Sequence, residues 1–180
     1  MRRMENQIPL DAIDRRILRA LQGDGRITYD VLAAQVSLSP SATLRRVKRL
    51  EESGVIARYV ALVAPERVGL GLTAYLNVRL EKHAEVHKRN PMDLFRAAVQ
   101  TWPEVVECAA LTGEMDFLLR VVAKDWDAYQ RFVTEKLTAA PKVAHVKSAL
   151  AIRSAKNLPG VPIAVDGDKP AQPPLTVPAE

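Results

Sequence analysis

The feature that most constrains the fold is the segment Ser-Leu-Ser-Pro at residues 37–40, which lies between two short helical patterns. Thr28 is suited to cap the helix before this segment, and Ser39 is suited to cap the helix after it. Pro40 then falls in the first turn of the second helix, where its missing N–H costs nothing. An amphipathic pattern over residues 10–22 supplies an earlier helix. Three short helices with a tight connection between the last two predict a helix-turn-helix.

The third predicted helix carries a dense positive cluster. Leu44, Val47 and Leu50 recur at helical spacing and predict its inward face. A recognition helix needs small polar side chains near its start to reach base edges, with cations beside them for phosphates. We therefore assign DNA binding to eight residues of the turn and helix: Ser39, Ser41, Ala42, Thr43, Arg45, Arg46, Lys48 and Arg49. Arg46 could instead read a guanine edge. The alternative, a solvated basic helix face, is disfavoured by the two preceding helices and the turn.

The second half of the chain alternates between strand-like and helix-like patterns. Strands are predicted over residues 72–80, 105–111, 117–122 and 143–152, and helices over 92–102 and 125–139. This βαββαβ order predicts a ferredoxin-like sandwich, a four-stranded antiparallel sheet with both helices on one face. The fold class is therefore α+β. Because the other sheet face needs a cover, we expect a homodimer formed through it.

The positions of proline and glycine between the patterned segments suggest the domain boundaries. We expect a helix-turn-helix domain over residues 1–62, with a strand-like connector at 58–63 and a linker at 63–71. The ferredoxin-like domain should cover 72–157. Residues 158–180 contain six of the twelve prolines and no periodicity, which predicts a disordered tail.

Composition excludes several classes of protein. The net charge of +5 is modest, but residues 1–60 hold eleven Lys and Arg against seven Asp and Glu. Cys108 is the only cysteine, which excludes an intrachain disulfide and a cysteine-based zinc site. No signal peptide and no membrane span are predicted, so we expect a cytoplasmic protein without membrane contact. His83 and His87 have no evident third ligand, and we expect neither a metal nor a cofactor. Trp102 and Trp126 are expected to anchor helix ends.

The loop from Thr112 to Asp116 is the second candidate site. Gly113 permits a tight turn between what we expect to be the two inner strands, and Thr112 and Asp116 add hydrogen-bonding groups. Two interpretations stay open. The loop could hold a small molecule, or it could be a hairpin turn that Asp116 stabilises.

Several ordered motifs together resemble one known family. They are Leu10-Asp11-x-x-Asp14-x-x-Ile17-Leu18, Leu32-Ala33, Leu38-Ser39-Pro40, Arg46-Val47-x-Arg49-Leu50-Glu51-x-x-Gly54-Val55-Ile56, Pro103-Glu104-Val105 and Leu111-Thr112-Gly113-Glu114-Met115-Asp116-Phe117-Leu118-Leu119. The pattern spans about residues 10–157 and resembles the leucine-responsive/asparagine-responsive (Lrp/AsnC) regulators. One departure is Ser37, which stands where the family usually has glycine, at a small backbone cost.

The resemblance implies a winged helix-turn-helix joined to a ferredoxin-like effector domain. It implies double-stranded DNA as a partner, and homodimers that assemble into an octamer or another higher oligomer. It also implies a small effector, typically an amino acid, bound between dimers by residues of the loop: Thr112, Gly113, Glu114, Met115 and Asp116. A carboxylate and backbone amides suit a zwitterion, since each end of the ligand finds an opposite partner.

Two other functions are conceivable. Siroheme decarboxylases resemble this two-domain plan, so an enzyme acting on a tetrapyrrole is one alternative, although a basic recognition helix has no obvious use there. The chain has no phosphate-cradling glycine loop, no G-x-S-x-G motif and no convincing acid/base pair, so we expect a protein that is not an enzyme. The other alternative is an oligomeric ligand sensor with a vestigial N-terminal unit.

Overall fold

A computed structural model of the chain describes residues 8–81, 90–140, 142–154, 156 and 160–165. These residues divide into two compact units. The first contains the described parts of residues 1–62 and 158–180, and the second contains those of residues 63–157. No helix among the described residues is long and apolar enough to cross a membrane. His83 and His87 lie outside the described residues.

The first unit contains the three predicted helices: α1 (Ala12–Gly23), α2 (Tyr29–Val36) and α3 (Pro40–Glu52). Each is started by a side-chain cap that satisfies a backbone N–H left free in the first turn. Asp11 caps α1 in a capping box with Asp14, Thr28 caps α2, and Ser39 caps α3 with Pro40 in its first turn. The predicted caps Thr28 and Ser39 are thus confirmed.

The turn between α2 and α3 has the backbone geometry that glycine usually supplies. Ser37 adopts the left-handed conformation, with φ 58° and ψ 47°, and its N–H and that of Leu38 return to carbonyls of α2. The helices close over a shared core formed by Ile17, Leu18, Leu32, Val36, Val47 and Leu50. The turn therefore forms without glycine and at the small strain expected for serine.

The connector after α3 differs from its prediction. Residues 57–64 form no strand, and Val60, Leu62 and Val63 are exposed. An alternating pattern shows which side chains could share a face, but a strand also needs a hydrogen-bonding partner. A short 3₁₀ turn follows at Pro65–Val68.

The second unit contains an antiparallel sheet and two helical segments in the predicted order. Its elements are β1 (Leu72–Leu80), α4 (Pro91–Val99), β2 (Val105–Ala110), β3 (Phe117–Ala123), α5 (Trp126–Arg131) with a π-helical continuation (Phe132–Leu137), and β4 (Val143–Leu150). The sheet order is β2-β3-β1-β4, with every pair antiparallel. The fold is ferredoxin-like, as predicted. The prediction that two inner strands flank Gly113 is wrong, because β2 is an edge strand.

The core of this unit lies on one face of the sheet. Leu76, Leu119 and Val121 are fully buried there, together with Phe95 of α4 and Phe132 of the π segment. The predicted anchor Trp102 packs edge-on against Phe95 and Phe132. Trp126 is half exposed, and its ring contacts the ring of Tyr129 at a tilt. Because side chains alternate along a strand, the residues between the buried ones face away from the helices.

The described part of the predicted tail does not fit disorder. Gly160 to Val165 has a defined path in the first unit, where Ile163 packs against the core of the helices. Composition alone predicted a disordered tail because the proline-rich segment lacks periodicity. A docked extended segment needs no periodicity of its own, since the partner surface supplies the contacts.

Candidate DNA-binding surface and effector loop

The N-terminus of α3 is fixed by local hydrogen bonds. The hydroxyl of Ser39 accepts from the backbone N–H of Ala42 at 3.3 Å and lies 3.2 Å from the Ser41 hydroxyl. Ser41 is exposed and Ala42 is partly exposed, so both lie on the accessible side of the first turn. Ser39 thus acts first as a helix cap, and Ser41 is the polar side chain available at this end.

Thr43 is not on the accessible face, which corrects its assignment to DNA binding. Its side chain is fully buried, and its hydroxyl donates to the Ser39 carbonyl at 3.0 Å. Leu44, predicted to face inward, is only partly buried, and the buried positions are Thr43, Val47 and Leu50. The buried stripe is therefore shifted by one residue at the start of the helix. The hydroxyl allows this because it satisfies a carbonyl of its own helix.

The four cations of α3 divide into two pairs. Arg45 and Lys48 are exposed, and no ion pair of either is found among the described residues. Arg46 is turned toward α1, where its guanidinium contacts Asp11 at 2.7 Å and Asp14 at 2.8 Å. Arg49 also bonds to Asp14. Arg46 and Arg49 thus tie α3 to α1, a role that the sequence analysis did not assign to them.

Asp14 is the centre of this ion-pair network. Its side chain is fully buried, whereas those of Arg46 and Arg49 are 26% and 48% exposed. A buried carboxylate is tolerated when charged donors satisfy its oxygens, and here two guanidinium groups and the backbone N–H of Asp11 do so. The network fixes which side of α3 faces α1 and, by elimination, which side stays open.

The charges of the network shift the pKa values of its members. The pKa of Asp11 lies below its ordinary value because its carboxylate accepts from the backbone N–H of Asp14, and the Arg46 guanidinium adds to this effect. The pKa of Arg46 is raised because its guanidinium donates to Asp11 and Asp14. Both shifts favour the charged forms.

Asp11 and Asp14 are the functional residues that the sequence analysis missed, since it quoted them only as family motif positions. A signal was present in the spacing. Two acidic residues three apart begin α1, and two arginines three apart lie in α3, so each pair occupies one helix face. The spacing could have suggested that the faces meet, but contact between them requires the packed structure.

The loop at Thr112–Asp116 is exposed over its first three residues, with Met115 and Asp116 partly buried. Gly113 has a φ of +112°, which a side chain would disfavour. Asp116 is engaged in structure: its carboxylate accepts from the Leu80 N–H at 2.7 Å, and its own N–H donates to Val78. Asp116 thus connects the loop to β1, and its backbone carbonyl accepts from the Leu111 N–H across the turn. Thr112 and Glu114 remain accessible, the latter 3.9 Å from Arg79.

Neither of two shallow cavities on the described surface is lined by this loop. One of about 290 Å³ lies among the helices of the first unit, beside Tyr29 and Tyr59, and the other, of about 340 Å³, lies along α5.

Within the described residues, no group of three or more His, Cys, Asp or Glu could hold a metal ion. Cys108 is partly buried, and burial raises the pKa of its thiol. That environment disfavours the reactive thiolate.

Comparison with known families matches both units. Residues 10–57 match the winged helix-turn-helix DNA-binding family, and residues 73–161 match the Lrp/AsnC ligand binding domain. The Bkd operon transcriptional regulator of Pseudomonas aeruginosa is 43% identical over 145 residues, which cover 81% of this chain and 92% of that protein. The leucine-responsive regulatory protein of Rhizobium meliloti is 42% identical over 151 residues, covering 84% and 94%.

A solved structure gives the same result for the fold. A transcriptional regulator from Neisseria meningitidis, crystallised as an L-Met complex, superposes with a TM-score of 0.80 at 39% identity, covering 86% of this chain and 97% of that one. The relatives are named as regulators, and they give no support to the siroheme decarboxylase alternative. Two matched domains in the same order, with relatives that span nearly the whole described chain, place this protein in the Lrp/AsnC family of DNA-binding transcriptional regulators.

Proposed function

We propose that this regulator reads double-stranded DNA with one defined face of α3. Ser41 and Ala42 face base edges at the start of the helix, and Arg45 and Lys48 contact phosphates beside them. The observation that carries this proposal is the division of the cations. Arg46 and Arg49 are held by the carboxylates of α1, so Arg45 and Lys48 are the α3 cations that remain for the nucleic acid. Arg49, half exposed, could add a phosphate contact from the rim.

The test measures DNA affinity as a function of salt for four single variants. Arg45→Ala and Lys48→Ala should each weaken binding and reduce the slope of log K against log salt by about 0.9, the value for one phosphate contact. Arg131→Ala, an exposed cation of the second unit, removes the same charge and should leave the slope unchanged. Arg46→Ala should lower the free energy of unfolding. For the protein that remains folded, the slope of log K for DNA binding against log salt should stay near that of wild type. Wild-type slopes for Arg45→Ala and Lys48→Ala would contradict the assignment.

The effector is proposed to be an amino acid that binds at the 112–116 loop. Support comes from the matched ligand-binding domain and from the relative crystallised with L-Met. Thr112, Glu114 and the backbone around Gly113 are accessible and offer groups for both ends of a zwitterion. Because the two cavities described above lie elsewhere, we propose that a second copy of the chain completes the site.

Self-association is proposed through the sheet face that α4 and α5 leave uncovered. Tyr75, 42% exposed, and Leu118 lie on this face beside polar residues such as Arg79. A homodimer would bury them, and further assembly of dimers, to an octamer or another higher oligomer, would bring the loops together. Effector binding would then shift the equilibrium among assemblies and, through linkage, the affinity for DNA.

Isothermal titration with the twenty amino acids, beginning with L-methionine, tests the effector. Thr112→Ala and Glu114→Gln should weaken the binding of any ligand, whereas Glu135→Gln, at an exposed site of the π-helical continuation of α5, serves as the control. Sedimentation of wild type and Tyr75→Asp, with and without that ligand, tests the assembly. No heat from any amino acid would contradict the effector proposal, and a monomer at micromolar concentration would contradict the assembly.

A regulator of this kind acts by binding, and we propose that it catalyses no reaction and works in the cytoplasm. The matched relatives support this view because they are named as regulators. Adding siroheme to the purified protein should leave the siroheme absorbance spectrum unchanged. A progressive change of the spectrum would favour the enzyme alternative.

A further inference from the structure

Residues 160–165, here called the strap, lie against α1 and form no helix or strand. They are separated from α1 by the whole second unit in sequence, yet both belong to the first unit. The Arg19 guanidinium donates to the Ile163 carbonyl at 2.7 Å. With its side-chain amide oriented so that both groups are satisfied, Gln22 donates to the Val161 carbonyl at 3.0 Å and accepts from the Val161 N–H at 3.2 Å. Two side chains of one helix thus bind the backbone of alternate strap residues.

The direction of the strap follows from these pairs. Gln22 binds Val161, and Arg19, one helical turn earlier, binds Ile163, so the strap runs toward the N-terminus of α1. Ile163 packs against the core of the helices, whereas Val161, which is 68% exposed, and Ala164 face solvent. An added Cβ at Gly160 would lie 2.6 Å from the Gln22 side chain, so the close approach at this end suits glycine.

We propose that α1 carries a binding surface for a peptide segment and that its occupant is the strap of the same chain. The hydrogen bonds fix the backbone without regard to sequence, and Ile163 supplies the apolar contact that selects this segment. The DNA-binding unit is therefore built from described residues that precede and follow the second unit in sequence.

The strap bears on DNA binding through α1. The helix that holds the strap on one side also holds Asp14, the buried partner of Arg46 and Arg49 in α3. An α1 that is better fixed holds the recognition helix in one orientation and lowers the cost of ordering it on DNA. This last step rests on the proposed DNA function, whereas the docking of the strap does not.

The experiment compares two full-length variants that add the same charge at neighbouring positions. Ile163→Asp places a carboxylate against the core, and Ala164→Asp places one at an exposed site. Hydrogen exchange of α1 peptides should be about tenfold faster in Ile163→Asp and near wild type in Ala164→Asp, because local opening becomes easier when the apolar contact is lost. DNA affinity should fall several-fold in Ile163→Asp alone.

Two milder changes keep the test decisive if Ile163→Asp does not fold. Gln22→Ala removes the amide contacts to Val161, and a chain ended after Lys156 lacks the strap; a chain ended after Val165 is its control. Both should speed exchange in α1, and the control should not. Wild-type exchange in the strap variants overturns the proposal. Faster exchange with unchanged DNA affinity supports the docked strap and counts against its link to DNA binding.

Discussion

Asp14→Asn is the sharpest test of how the recognition helix is held. The substitution keeps the size of the side chain and removes its charge. In the native unit the fully buried carboxylate binds Arg46, at 2.8 Å, and Arg49. An asparagine keeps one acceptor oxygen in place of two, and its amide N–H₂ group faces a guanidinium that can only donate.

The expected loss can be worked out from the exposure of the partners. Removing one member of a buried ion pair typically costs about 3–5 kcal/mol, mainly because a buried charge is left unpaired. Here the remaining charges are the two arginines, which are 26% and 48% exposed and can reach water. Arg46 also keeps its contact with Asp11. We therefore expect a smaller loss of about 2 kcal/mol, or roughly 10 °C in Tm for a unit of this size.

The assay is urea unfolding of the full chain, followed by hydrogen exchange of peptides from α1 and α3. Glu52→Gln removes one negative charge from an exposed site at the end of α3 and is the matched control. Asp14→Asn should lose stability, whereas Glu52→Gln should not. In Asp14→Asn the faster hydrogen exchange should appear in the first unit and not in the second. A loss below about 0.5 kcal/mol, comparable to an ordinary surface substitution, would refute the argument that Asp14 fixes α3.

Three further outcomes are expected. Ser37→Gly should raise stability by about 1 kcal/mol in urea unfolding, because glycine adopts the left-handed conformation without strain; unchanged or lower stability would contradict this. Burial, followed by the hydrogen bond to Glu51, raises the pKa of Tyr59 from 10.0 to about 12. Its contribution to stability should be complete below pH 10 and be lost as the pH rises from 10 toward 12, and Tyr59→Phe should remove that loss. The lowered pKa of Asp11 has the opposite sign: its contribution is present above pH 3.8 and lost as the pH falls below this value, so Asp11→Asn should flatten the acid limb of the stability profile.

Local sequence was sufficient for the helices, the strands and their order. Thr28, Ser39 and Pro40 predicted helix starts correctly because a cap involves residues within three or four positions of each other. The strands β1 and β3 were predicted correctly from their short apolar patterns, because their buried residues face one core. The same reasoning fails for the end of α5, where the chain continues as a π helix, since helical spacing does not distinguish the two hydrogen-bonding patterns.

The division of labour within α3 was decided only by tertiary structure. Four cations in five residues indicate a basic helix, and periodicity shows their angular spread. Which of them point to solvent depends on the residues of α1 that pack against the helix. Asp14 lies 32 residues away from Arg46 in sequence. Because its carboxylate binds the Arg46 guanidinium, Arg46 connects α3 to α1, although the sequence predicted a contact with DNA. No local pattern contains that pairing.

The position of the strap likewise depends on tertiary structure, because the strap and α1 are even farther apart in sequence. The sequence predicted no helix or strand for residues 158–180, because they are rich in proline and lack periodicity. Tertiary structure determined the position of residues 160–165, because Arg19 and Gln22 of α1 form hydrogen bonds with their backbone. Local structure is encoded in neighbouring residues, whereas a docked segment depends on a surface that exists only after the helices have packed.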